Sequence, residues 1–349
     1  MGAETLLILT PGFPENEEDT SCLPSQQLLV RAMNRIQPEL RIVIISFEYP
    51  FSKSDYNWYG NRVIALNGWK KGRFNKLITL LIAWRRLRKL KKENNIVGML
   101  SFWCTQCALI GHYFGKMNGL AHYTWILGQD AKKENKFVRL IAPKENELIA
   151  ISYFLAIQFY KNYNLRPARI IPNGVDTTLF GPVNQLRDID VLGVGSLIPL
   201  KQYDVFIGIV KDLLPANPQL RAVIAGKGPE LTRLESLIRE HRLEDHIQLL
   251  GEKSHGEVLE LMQRARVLLH PSSYEGFSTV CLEALYAGAE VISFCNPKEH
   301  WIKHWHIVND KEGMLERIHE LLSEIRAPYE SVMVHSLDDS ARQFIALFR

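Results

Sequence analysis

The residues best placed to do chemistry lie in one run, His270-Pro-Ser-Ser-Tyr-Glu275-Gly276-Phe277-Ser278-Thr279-Val280-Cys-Leu-Glu283, closing at Ala287-Gly288. Val267–Leu269 before it read as a buried strand, the loop carries Glu275, and a helix opens near Ser278. The first N–H groups of a helix have no acceptor inside it, and with the helix dipole they make an anion site. The amides around Phe277–Val280 and the hydroxyls of Ser278 and Thr279 are therefore suited to a phosphate. Glu275 and Glu283 would repel a phosphate, so their chemistry is to accept hydrogen bonds from sugar hydroxyls. Taken singly, Ser278 is as well explained as an N-cap and Glu283 as a solvated helix residue. The combination after a buried strand favours a site.

Such a run needs a sheet behind it, and the apolar pattern supplies two. In the first half Leu6–Leu9, Ile42–Ser46, Val97–Ser101, His122–Ile126 and Leu148–Ile151 read as buried strands. Helical patterns near Pro24–Ile36, Phe74–Lys92, Thr105–Lys116 and Tyr153–Tyr163 separate them. A second series follows Arg187, with strands Ile189–Val194, Arg221–Ala225, His246–Leu249, Val267–Leu269 and Glu290–Ile292. Its helices are Lys201–Leu214, Glu230–Arg239, Glu257–Arg264 and Thr279–Ala287. Alternation of this kind demands crossovers and gives parallel sheets covered on both faces. The fold class expected is α/β, with two Rossmann-like doubly wound domains facing a cleft. Ligands of such sheets bind beyond the carboxyl ends of the strands.

Composition agrees and excludes other classes. The chain has 349 residues, 46% hydrophobic and 23% charged, enough for two domains. No apolar run is long enough to span a bilayer, and Met1–Thr10 reads as a first strand rather than a leader. Five cysteines without paired spacing form no disulfide framework. Cys104-Thr-Gln-Cys107 has no second pair to complete a zinc site, so reduced thiols and a cytoplasmic location are expected.

Four further segments, in order along the chain, make the reading specific: Ile171-Pro172-Asn173-Gly174-Val175-Asp176, Val194-Gly195-Ser196-Leu197 through Lys201, Ile224-Ala-Gly226-Lys-Gly228-Pro229, and Leu249-Leu-Gly251. With the spacing Glu275-x7-Glu283 they resemble the family-4 retaining glycosyltransferases, group 1 glycosyl transferases of GT-B fold, over roughly the second half of the chain. The resemblance implies that Lys201 neutralises the donor diphosphate, that Glu275 holds donor sugar hydroxyls, and that Glu283 grips the nucleotide ribose. It places Gly195-Ser196, Gly226, Gly228 and Gly251 around the donor, and Gly12 in the loop after the first strand. Many members have a basic residue where this chain has Ser196. The domains expected are 1–168 for the acceptor, a linker over 169–187 rich in Pro and Gly, 188–334 for the nucleotide sugar, and 335–349 as a helix returning to the first domain.

In the first half, the Thr10–Thr20 loop carries Glu15, Glu17, Glu18 and Asp19, which read either as acceptor-binding acids or as a surface loop. Asp130, after the strand ending at Ile126, reads either as a contact to donor sugar or acceptor or as a turn cap. No metal and no cofactor besides the donor substrate is expected. His300, His304 and His306 read as a loop packed by Trp301 and Trp305, not a zinc cluster. Phe74–Lys92 is a basic amphipathic helix: a solvated face by default, or a patch for anionic lipid at the inner membrane face. Its aromatic residues sit on the apolar stripe, so nucleic acid is not expected as a partner.

The function expected is transfer of a sugar from a nucleotide-diphosphate donor to a glycan or lipid-linked glycan, in cell-surface polysaccharide or glycolipid synthesis. The alternatives are a non-catalytic scaffold subunit, which Ser196 favours, and a sugar-nucleotide epimerase of the same fold. A dehydrogenase would need G-x-G-x-x-G after the first strand, which is lacking.

Overall fold

A computed structural model describes residues 3–68, 73–184, 186–296, 301–323 and 329–349. The chain forms two compact units, Met1–Asn173 with Leu337–Arg349, and Gly174–Ser336.

Unit 1 begins with β1 (Glu4–Gly12), α1 (Pro24–Ile36), β2 (Arg41–Tyr49), β3 (Ser54–Trp58) and β4 (Asn61–Ala65). It continues with α2 (Arg73–Glu93), β5 (Asn95–Phe102), α3 (Gln106–Asn118), β6 (His122–Ile126) and α4 (Lys136–Ile141). β7 (Leu148–Ala150), α5 (Tyr153–Tyr163) and β8 (Arg169–Ile170) follow. The sheet order is β3-β4-β2-β1-β5-β6-β7-β8, parallel throughout except where β3 returns on β4. The central strands bury both faces, and so read as unbroken apolar runs, Leu6–Leu9 being fully inaccessible. Leu7, Leu9, Ile45 and Met99 pack there under Ala83 and Leu87 of α2 and Phe114 of α3.

Unit 2 is a six-stranded, wholly parallel sheet. In chain order it has β9 (Ile189–Val194), α6 (Tyr203–Leu213), β10 (Ala222–Ala225), α7 (Leu231–Glu240) and β11 (Ile247–Leu249). Then come α8 (His255–Arg264), β12 (Ala265–His270), α9 (Thr279–Tyr286), β13 (Glu290–Ser293), β14 (Trp305–Ile307) and α10 (Lys311–Ser323). The last helix, α11 (Leu337–Ala346), belongs to unit 1, where the Ser340 hydroxyl donates to the Pro172 carbonyl at 2.7 Å. The strand order is β11-β10-β9-β12-β13-β14. From β9 the chain winds first toward β11, then resumes at β12 and winds the other way. The junction of β9 and β12 is therefore the switch point, where loops leave in opposite directions and open a crevice.

Several elements differ from the sequence expectation, which did not include the helices α4 and α10. Ser54–Ala65 forms a hairpin rather than a connection, turning at Tyr59 (φ 43°) and Gly60 (φ 79°). Arg169–Ile170, expected in a linker, is an edge strand, and the division falls at Asn173/Gly174. Trp305–Ile307 is a strand rather than a loop. Trp305 is buried and donates its indole N–H to Ser293 at 2.9 Å, whereas Trp301 is exposed. His304 and His306 face the buried carboxylate of Glu290 at 2.9 and 2.5 Å; His300 lies outside the described residues, as do Trp69, Lys70 and Lys71.

Candidate functional site

At the carboxyl edge of the unit 2 sheet, three strand exits are laced together by backbone bonds. Gly195 donates its N–H to Ala225 O (3.0 Å), Leu197 to Lys227 O (2.9 Å), and Gly226 to Gly251 O (2.8 Å). The close approach explains the glycines. A Cβ on Gly226 would lie 1.9 Å from the Gly195 carbonyl oxygen, and one on Gly228 would lie 2.3 Å from that of Leu197. Gly251 turns at φ +70°, where a side chain is strained. Ser196 is exposed at the rim of this lacing.

The turn Pro199–Lys201, just before α6, folds onto the loop after β12. Leu200 O accepts the Ser273 N–H at 3.0 Å and the Ser272 hydroxyl at 3.3 Å. This pinning carries Lys201 across the switch point. Its ammonium donates to Glu275 Oε1, and His270 Nε2 reaches the same oxygen at 3.0 Å. Lys201 and Glu275 side chains are each 18% exposed, so the pair is shielded but reachable. Burial alone would raise the Glu275 pKa; the hydrogen bond and charge of His270 and the Lys201 ammonium outweigh it and hold the carboxyl at about 2. Burial, with Lys201 nearby, pushes His270 below its ordinary range despite the Glu275 bond, in which Nε2–H donates to the carboxylate. Tyr203 completes the cluster: a Cβ on Gly195 would lie 3.3 Å from its hydroxyl and 3.9 Å from Lys201 Nζ.

Ser278 is the N-cap of α9, with no side-chain bond to the helix's own amides, so its hydroxyl is not spent on capping. Phe277 is buried, and Thr279 and Val280 are half-buried at the helix start. Glu283, buried within α9, accepts from His255 Nε2 at 2.8 Å. His255 is the first residue of α8, fixed by a capping box in which Ser254 Oγ and the Glu257 carboxylate bind each other's backbone N–H. Burial lowers the His255 pKa, but the Glu283 bond and the charges of Glu283 and Asp176 win, and the net shift is upward. Sequence reasoning missed both histidines. The Ser254-x-x-Glu257 box was a signal for His255, and His270 ends a strand five residues before Glu275.

The structure thus brings Lys201 to Glu275, packs Ser196, Gly226, Gly228 and Gly251 into adjoining strand exits, and sets Phe277–Glu283 on the loop and helix that follow. Gly12 and Asp130 lie in unit 1. Gly12 ends β1, its carbonyl accepting from the Thr10 hydroxyl at 2.8 Å. Asp130 Oδ2 accepts the Cys104 N–H at 2.9 Å, and Oδ1 accepts those of Gly128 (2.8 Å) and Leu127 (3.2 Å). Of its two readings the structure supports the turn cap, because both oxygens are committed to backbone. Burial raises its pKa against the pull of those amides. The acid loop is also partly self-contained: Asp19 Oδ1 accepts from Cys22 N–H, its Oδ2 from the Tyr49 hydroxyl, and Glu17 from Tyr59 N–H. Cys104 and Cys107 are buried free thiols, with pKa values raised by burial. Among the described residues no group of three or more His, Cys, Asp or Glu is placed to hold a metal.

Two Rossmann-like units, the second with a lysine–glutamate pair at its switch point and a carboxylate-bearing helix after it, define the GT-B class of glycosyltransferase folds. Residues 178–324, within unit 2, match the family described as Glycosyl transferases group 1. A Schizosaccharomyces pombe protein named phosphatidylinositol N-acetylglucosaminyltransferase gpi3 subunit is 30% identical over 203 residues, 56% of this chain and 44% of the relative. The chain therefore spans less than half the length of that relative. Among solved structures, a glycosyltransferase from Rickettsia africae ESF-5 shares 15% identity at a TM-score of 0.75, covering 99% of this chain and 98% of that one. Anabaena HepE, solved with UDP-glucose, shares 15% identity at a TM-score of 0.69, covering 98% and 94%. At these identities the likeness is one of fold.

Proposed function

We propose that the chain transfers a hexose-type sugar, with retained anomeric configuration and without a metal, from a nucleoside-diphosphate sugar to a glycan or lipid-linked glycan in cell-surface polysaccharide or glycolipid synthesis. One observation carries this reading: Lys201 meets Glu275 at the sheet's switch point, with the α9 start and Glu283 next in the same loop and helix. The N-acetylglucosaminyl group in the S. pombe relative's name and the UDP-glucose bound in the HepE structure support a UDP-linked hexose or N-acetylhexosamine as donor.

As the sugar–phosphate bond breaks, negative charge grows on the diphosphate. Lys201 and the positive end of α9 offset it where it forms, which lowers the barrier. Glu275, ionised at neutral pH, accepts from sugar hydroxyls. Glu283, steadied by His255, accepts from the ribose. In a front-face route the departing phosphate oxygen takes the proton of the acceptor hydroxyl, so no enzyme nucleophile is required. Ser196 leaves one family cation unfilled; Lys227 lies in the adjoining loop, its ammonium paired with Glu252.

Titration calorimetry with UDP, GDP and ADP, followed by incubation with UDP-glucose and UDP-N-acetylglucosamine, tests the reading. Nucleotide binding with slow donor hydrolysis that Lys201→Met abolishes is the expected result. Failure to bind any nucleoside diphosphate overturns it. Tight binding without turnover, acceptors supplied, favours the scaffold.

A further inference from the structure

The helices α2, α3 and α4 form one layer on a single face of the unit 1 sheet, and their outer surface has an unusual composition. Their sequences contain one acid, Glu93, which sits 3.7 Å from Lys89. The inner stripe of α2 is buried at Thr79, Ala83, Leu87 and Leu90, so the helix is already satisfied against the core. Yet its outer side carries Leu77 and Leu81 (each 54% exposed) and Ile78 (39%). One turn further on, Arg85, Arg88 and Lys92 are exposed and make no ion pair among the described residues.

The neighbouring helices repeat the pairing of apolar tip and cation. α3 presents Met117, 73% exposed, and Tyr113 beside Lys116; α4 presents Leu140, 54% exposed, beside Lys136 and Arg139. The helices are joined side by side. The Trp84 and Phe114 rings lie 5.2 Å apart, Lys91 Nζ donates to Asn118 Oδ1 at 2.8 Å, and the Tyr113 hydroxyl donates to Leu140 O at 2.9 Å. A cavity of about 570 Å³ at this junction is lined by three cations, Lys116, Lys144 and Arg169, and one carboxylate, Glu147.

We propose that this outer layer docks on the surface of an anionic lipid bilayer. Scattered apolar residues need no explanation; a run of them projecting outward beside exposed cations does. A bilayer interface takes both parts, the apolar tips entering below the headgroups and the cations meeting lipid phosphates. Nucleic acid fits less well, because the exposed apolar residues on α2 are leucine and isoleucine rather than stacking rings. The surface lies wholly within unit 1 and is independent of the sugar-transfer reading, which rests on unit 2.

Flotation of the full chain with vesicles tests it, using phosphatidylcholine alone and phosphatidylcholine mixed with phosphatidylglycerol, at low and high salt. Binding should need the anionic lipid and fall with salt. Arg85→Glu with Arg88→Glu should weaken it by at least about 25-fold, from a loss of roughly fivefold per basic residue at the surface. Leu77→Glu with Leu81→Glu should weaken it by about tenfold or more. Both variants should keep wild-type circular dichroism, melting temperature and nucleotide affinity. Equal binding to neutral vesicles, no binding to either, or binding that neither double variant reduces would overturn the proposal. Salt-sensitive capture of an acidic protein with vesicles ignored would overturn it in favour of a protein partner.

Discussion

Replacing His255 by alanine offers a magnitude that can be worked from the structure. The His255–Glu283 bond is 2.8 Å long, between side chains 15% and 7% exposed, so water replaces the lost partner poorly. A hydrogen bond to a charged group in such a setting contributes about 1.5–3 kcal/mol. For a domain of this size each kcal/mol shifts the melting temperature by about 2–4 °C, so unit 2 should melt roughly 3–12 °C earlier. The effect has a sign in pH. The folded pKa of His255 is raised above its ordinary 6.5, so its stabilisation is full below that value and is lost as pH rises through the folded pKa. The gap between wild type and His255→Ala should therefore be widest near about pH 5.5 and narrow toward about pH 9. Scanning calorimetry across that range, following the unit 2 transition, is the assay. Calorimetric titration adds a functional arm: UDP affinity should fall, while 2′,3′-dideoxy-UDP, which lacks the hydroxyls Glu283 is proposed to hold, should bind both proteins alike. A pH-independent gap, or one below about 0.5 kcal/mol, would refute the claim that His255 braces Glu283 as an ion pair.

Other outcomes follow from the same geometry. Gly226→Ala, whose Cβ would lie 1.9 Å from a backbone oxygen, should destabilise unit 2 by about 1–3 kcal/mol and abolish nucleotide binding. Gly256→Ala, with open space around it, should do neither in the same melting and titration assays. Glu275 is held at about 2 against an ordinary 4.5, so its contribution is present above 4.5 and lost as pH falls toward 2. Glu275→Gln should flatten that part of an acid-unfolding curve. Asp130→Asn turns an amide N–H toward backbone N–H donors, and should destabilise unit 1 by about 1–3 kcal/mol in thermal unfolding. Cys104, Cys107 and Cys281, all buried with raised pKa values, should resist iodoacetamide in the native protein and react after denaturation.

How much of this was legible depended on whether the cause was local. The buried parallel strands showed as apolar runs because both faces are covered, and α1 and α5 fell within their expected bounds because Pro24 opens the one and the Ser152 cap the other. The Ser54–Ala65 hairpin was hidden: an edge strand alternates weakly, and its turn sets tyrosine rather than asparagine before Gly60, so the usual turn signature is missing. Gly226 and Gly228 could be named from the resemblance, but their reason, a neighbouring loop's carbonyl oxygens, lies some thirty residues away in sequence. His255 was harder to assign because its partner Glu283 lies 28 residues on, in another helix, whereas His270 finds Glu275 only five residues on in the same loop. Asp130 was left between two roles in the sequence; the three amides around it show which oxygens are already engaged.

A crystal structure of the chain with UDP bound tests the central assignment most directly. The diphosphate should lie against Lys201 and the Phe277–Val280 amides, the ribose hydroxyls within hydrogen-bond reach of Glu283, and Glu275 open toward the sugar position. A nucleotide bound elsewhere on the chain, with Lys201 still paired to Glu275 and Glu283 out of reach of the ribose, would contradict the account.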